Sequence, residues 1–181
     1  MRSTSKIKSS LLVGLFLLLY GCSHTPEQLI QKINEDTRYA VSGVSEDCHY
    51  TLQYVPKEYL AAMELKGKPA AGDQAISNKV ADYGKAYYFR VTMALKSGNN
   101  AMMDRVGSTQ EYANKYNYLT YGMGKNLYIL TAQYDTIYPA SYTFQNPYIY
   151  NDKLSFLYVF GKGQLEKGKE ADLVLKFKDD L

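Results

Sequence analysis

Few residues in this chain are suited to catalysis, and their types and spacing exclude more than they indicate. There are only two histidines, His24 and His49, and two cysteines, Cys22 and Cys48. His49 follows Cys48 directly, and on a strand adjacent side chains point to opposite faces, so the two do not make a catalytic pair. One histidine in the folded part cannot complete a zinc cluster, and neither Cys-x-x-Cys nor His-Glu-x-x-His occurs. A Ser-His-Asp triad would rest on His49 alone, and no serine sits in a Gly-x-Ser-x-Gly turn. Gly122-Met123-Gly124-Lys125 lacks the spacing of a phosphate-binding loop and reads as a hairpin turn. No catalytic residue, metal ligand or cofactor is expected. A glycosidase needs only two carboxylates, so an enzyme acting on envelope polymers stays as the alternative to a non-enzymatic binding or structural module. Asp135, Asp152 and Glu170 are scattered, and nothing singles out a pair.

The aromatic composition is unusual: 19 tyrosines, six phenylalanines and no tryptophan. Tyrosine packs well on a pleated sheet and keeps a polar tip. It also supplies rigid contact area to binding surfaces. Two readings stay open. The tyrosines are half-buried strand residues, or some of them form an exposed face. The candidate face comprises Tyr118, Tyr121, Tyr128, Tyr138, Tyr142, Tyr148 and Tyr150. A glycan, a peptide or another envelope protein would be its partner.

The N-terminus carries an address. Arg2, Lys6 and Lys8 precede an apolar run from Leu11 to Tyr20, the layout of a secretory signal. The run has about ten residues where a membrane-spanning helix needs about 20. Leu19 fits poorly at position −3 of an ordinary signal-peptidase site. Leu19-Tyr20-Gly21-Cys22 resembles the lipobox of bacterial lipoproteins. That resemblance implies removal of residues 1–21 and a lipid on Cys22, with the membrane as a partner through that lipid. Ser23 after the cysteine implies transfer to the outer membrane of the bacterial envelope, where the cell has one. The domain would face either the periplasm or the outside.

Cleavage there changes two counts. The chain has 21 basic and 18 acidic residues, and the only charges before Cys22 are the three basic ones, so the remainder is balanced. Its basicity belongs to the signal and gives no support to nucleic-acid binding. A lipidated Cys22 also leaves Cys48 unpaired. It is then either a small buried hydrophobe on a strand or a reactive or intermolecular thiol.

The elements that must position these residues follow from periodicity. Thr25, Pro26 and Gln28 form the start signal of a short helix ending near Asn34 to Asp36. Residues 22–45 then read as a lipidated helical tether to one domain over 46–181. Cys48 to Val55 alternates as a strand, Pro56 breaks it, and Lys57 to Lys66 reads as a helix stopped by Gly67. Gln74 to Tyr83 is one or two helical turns, and Tyr87 to Leu95 is the clearest early strand. A turn at Ser97–Asn100 follows, and a short helix starts after Ser108. The last third predicts strands at Tyr116–Tyr121, Asn126–Gln133, Ile137–Gln145, Leu154–Phe160 and Ala171–Lys178, with Pro139 marking a strand start, edge or bulge. The fold class is α+β and β-dominated: an antiparallel β-sandwich or barrel-like domain with a few short helices.

Overall fold

A computed structural model describes residues 25–45, 47–68, 72–131, 135–145, 152–165 and 174–178. Cys22, Tyr134, Tyr148, Tyr150 and Glu170 lie outside the described residues. The fold is α+β, with a five-stranded antiparallel sheet, a three-stranded antiparallel sheet and several short helices, and it is not a closed barrel.

The larger sheet runs in the order β1 (Ala40–Val44), β2 (Cys48–Val55), β3 (Ala86–Leu95), β7 (Lys153–Gly161) and β6 (Ser141–Phe144). The smaller one orders β5 (Thr136–Ile137), β4 (Leu127–Leu130) and β8 (Val174–Phe177). The sequence alternation fixes the faces. In β7, Leu154, Phe156, Tyr158 and Phe160 are buried and the residues between them are less so. The registers set Leu52 beside Val91, Val91 beside Phe156 and Phe156 beside Phe144. Paired residues share a face, so these side chains make one inner surface. The smaller sheet covers it with Leu127, Ile129, Leu175 and Phe177.

Among the described residues, the opposite face is covered at one end. There Val55, Tyr88 and Leu157 meet α1 (Pro26–Glu35) and α2 (Lys57–Leu65) through Ile30, Ile33, Tyr59 and Ala62. The capping box that opens α1 forms as expected: the Gln28 amide donates to Thr25 Oγ1, and the Thr25 amide donates to Gln28 Oε1 at 3.0 Å. Residues 25–45, which read as a tether, therefore belong to the folded body. Helix α1 docks on α2, the Gly67 amide donates to Glu27 Oε1, and β1 is the outermost strand of the larger sheet. Gly67 has φ +74°, the left-handed stop that the sequence placed there. Helix α3 (Asp73–Val80) completes this layer.

Three expectations change. Tyr116–Tyr121 is helical: α4 (Thr109–Asn117), capped by Ser108, runs into a π turn at Tyr118–Gly122. Tyr112, Tyr116 and Leu119 recur at helical spacing, which the strand preference of tyrosine masked. Gly122–Lys125 is no hairpin. It closes the π turn and enters a 3-10 turn at Met123–Lys125, and a side chain at Gly122 would meet the Tyr118 ring. The segment Ile137–Gln145 is two strands in different sheets, with Pro139 between them. Proline cannot donate to a ladder, so the chain changes sheets there. A short helix, α5 (Lys162–Leu165), follows β7.

The Tyr158 hydroxyl donates to the Met123 carbonyl at 3.1 Å inside this core. Phe156→Ala should cost about 3–5 kcal/mol of stability. Tyr158→Phe should cost about 0.5–1.5 kcal/mol, the net worth of one hydrogen bond, because the Met123 carbonyl keeps the Asn126 amide as a second donor. Urea denaturation followed by circular dichroism checks both.

Candidate functional site

The candidate tyrosine face divides in two. Tyr142 and Tyr118 pack against the core, and Tyr142 stacks on Tyr158 with ring centroids 5.6 Å apart. Its hydroxyl accepts from the Met123 amide at 3.0 Å. Tyr121 is 79% exposed and Tyr138 44% exposed. Tyr128 stands beside Tyr138, and the Lys125 ammonium lies 5.7 Å from the Tyr138 ring centre. Tyr138 forms one wall of a broad, open groove of about 780 Å³ that Lys85, Pro139, Lys162 and Gln164 also line.

A better-enclosed pocket lies elsewhere. Its volume is about 370 Å³, and it opens where β2 begins and β3 ends. Its floor is apolar, formed by Met93, Leu95, Ala101 and Leu154. Cys48 lies on the inner face of β2, in the register position opposite Leu95, and lines the wall. The thiol forms no disulfide among the described residues and is half-buried. His49 points to the other face and is exposed, as the strand alternation required.

Five charged side chains line this pocket, and all are engaged within the protein. Arg105 pairs with Asp47 at 3.2 Å and with Asp104 at 3.6 Å. Its backbone adopts φ +55°, an uncommon conformation for a side-chain-bearing residue. The pairing with Asp47 ties the loop before α4 back to the start of β2. Glu111 Oε2 accepts from the Gly107 amide at 2.6 Å. Lys115 reaches in from α4 and donates to the carbonyls of Ala101 and Asp104 at 2.9 and 2.8 Å. Burial holds its pKa below the usual lysine value, and the Arg105 charge adds to this. The carboxylates here are all hydrogen-bonded or ion-paired within the protein. Asp135 and Asp152 are exposed elsewhere. Among the described residues, no group of three or more His, Cys, Asp or Glu could hold a metal ion.

Lys115, Arg105, Asp47 and Asp104 were not legible as site residues. Each is a common residue type in an ordinary context, and only the long-range return of the loop onto β2 brings them together. Neither the family models, the curated proteins nor the solved structures compared with this chain gave a match.

The tyrosines give a pH signature. Burial raises the pKa of Tyr54, Tyr83, Tyr88, Tyr142 and Tyr158 above the ordinary value of 10.0. A raised folded-state pKa leaves stability whole below that value, where both states are neutral. Above it, the unfolded chain ionises first and stability falls. Lys115 acts in the opposite sense, since its burial penalty disappears as it deprotonates, but it is one group against five. Thermal stability should fall steeply from about pH 10 upward, with the absorbance change of tyrosinate tracking unfolding. Full tyrosine ionisation at pH 10–11 with no loss of structure would contradict this.

Proposed function

We propose that this protein is a bacterial envelope lipoprotein, held on the membrane by lipid at Cys22, which acts as a non-enzymatic binding module for a small, largely apolar molecule. The observation that carries the binding reading is the pocket between Cys48 and Lys115. It has the size of a small-molecule site, an apolar floor, and charges that are already matched within the protein. A ligand entering it would gain mainly from burying its own apolar surface.

Its placement supports the same reading. Helix α1, the first described element after Cys22, packs at the Val55 end of β2 on the outer face of the sheet. The pocket opens at the Cys48 end on the inner face. Seven residue steps along β2 separate the two by about 23 Å. The folded start of the chain and the pocket mouth therefore do not compete for the same space.

The groove at Tyr138 supports a second reading, a glycan-binding edge. An exposed ring offers a flat surface to a sugar, and lysines stand on either side of it.

The chain has no tryptophan, so Val106→Trp at the pocket wall places a single indole there. A neutral apolar dye such as N-phenyl-1-naphthylamine should gain fluorescence on binding the wild-type protein. Val106→Trp should lower that binding at least tenfold. Equal dye binding by both proteins would sink the pocket reading. Glycan binding that Tyr138→Ala removes and Val106→Trp leaves intact would favour the second. For the anchor, Cys22→Ser should abolish labelling by radioactive palmitate and leave the precursor uncut. Normal labelling of that variant would remove the lipoprotein reading.

A further inference from the structure

The two sheets expose four edges among the described residues, and three of them are blunted. Strand β5 has two residues and runs into Pro139. Strand β6 has four residues and follows that proline closely. Strand β8 has four residues, with Lys176 exposed on it. Short length, proline and lysine are the usual devices that prevent strand-to-strand pairing between molecules.

Strand β1 has none of them. It reads Ala40-Val41-Ser42-Gly43-Val44, without charge or proline. Among the described residues it pairs with β2 along its whole length and has no partner strand on its other side. Val41 is 67% exposed and Val44 64% exposed, and a Cβ built on Gly43 would meet open space. An uncharged, unshielded edge of this length is a template for another strand.

We infer that β1 pairs antiparallel with β1 of a second copy of this chain, joining two five-stranded sheets into one. Size complementarity across the two-fold axis and charge balance at the strand ends favour this occupant. Val41 lies opposite Leu52 and so shares the inner face with Gly43, whereas Ala40, Ser42 and Val44 share the outer face. In a continuous sheet, facing residues must lie on the same face. The antiparallel register that satisfies this and pairs all five residues sets Ser42 against Ser42, Val41 against Gly43, and Ala40 against Val44. Each valine then meets a residue small enough to admit it, and the two Val41 side chains become diagonal neighbours. The ends match as well. One end of β1 carries the Asp36–Arg38 pair and the other the Asp47–Arg105 pair. An antiparallel partner thus brings balanced charges together and meets no like-charge excess. This inference is independent of what the pocket binds.

The test is a disulfide on the two-fold axis. Directly opposed residues of an antiparallel pair lie about 4.5–5.5 Å apart at Cα, within disulfide reach. The full-length chain would be produced in cells with Cys48→Ala together with Ser42→Cys, and the Cys48→Ala parent, whose one cysteine is Cys22, should give no dimer under the same oxidation. Mild copper-phenanthroline oxidation should give a covalent dimer of this chain. Thr51→Cys, one strand further in on the same face, serves as the collision control and should cross-link at least tenfold less. Adding Val41→Lys to Ser42→Cys places a charge on the exposed edge without touching the core, and it should reduce the dimer at least tenfold. Equal cross-linking by the Ser42→Cys and Thr51→Cys variants would overturn the proposal. So would absence of a dimer, or capture of a different protein by the thiol of the Ser42→Cys variant, which would make β1 an edge for another partner.

Discussion

One buried hydroxyl holds the two sheets in register with each other. Tyr158 sits fully buried in the middle of β7 and gives its proton to the carbonyl of Met123, at the turn that launches β4. The larger sheet is thereby tied to the first residue of the turn from which the smaller one starts. Tyr142 stacks on the same ring and accepts the Met123 amide, so both backbone polar groups of one buried residue are met by tyrosine hydroxyls. Phenylalanine could fill the same volume but would give the Met123 amide no acceptor and leave its carbonyl with the Asn126 amide alone. The abundance of tyrosine is therefore in part structural: these two rings are fasteners as well as packing.

This arrangement explains why the tyrosine-rich stretch did not stay together as a surface. The strand that was expected at Tyr116–Tyr121 would have shown alternate rings on one side. Continuing α4 into a π turn instead drives Leu119 and Tyr118 inward and leaves Tyr121 outside. The turn brings Met123 beneath Tyr142 and Tyr158. At the surface, Tyr121 stands exposed and Tyr138 lies beside Tyr128 and Lys125.

Local signals in the sequence were strong where they had a local cause. The capping box at Thr25, the alternation from Cys48 to Val55 stopped by Pro56, the stop at Gly67 and the cap at Ser108 all set elements within a residue or two. Strand β1 was missed because Ala-Val-Ser-Gly-Val is short, holds a glycine and places its two valines three apart, which breaks the period-two alternation. Pairing with β2 makes it a strand. The pocket was illegible for a similar reason. Lys115 and Asp47 are far apart in sequence, and a loop with Arg105 in a left-handed conformation brings them to one wall.

The order of the strands also sets how this chain can fold. Strands β1, β2 and β3 come early and pair as neighbours, yet the other side of β3 waits for β7. Ala86 meets Gly161 and Ala94 meets Lys153 across the whole middle of the sequence. Closing so long a loop is slow, and a chain made N-terminus first has no β7 to lay beside Phe89, Val91 and Met93 until its last third has been made. During that interval the early meander shows its apolar face to solvent and to other chains, the state in which aggregation competes with folding. A chain with the β3 partner close at hand in sequence would close this surface sooner.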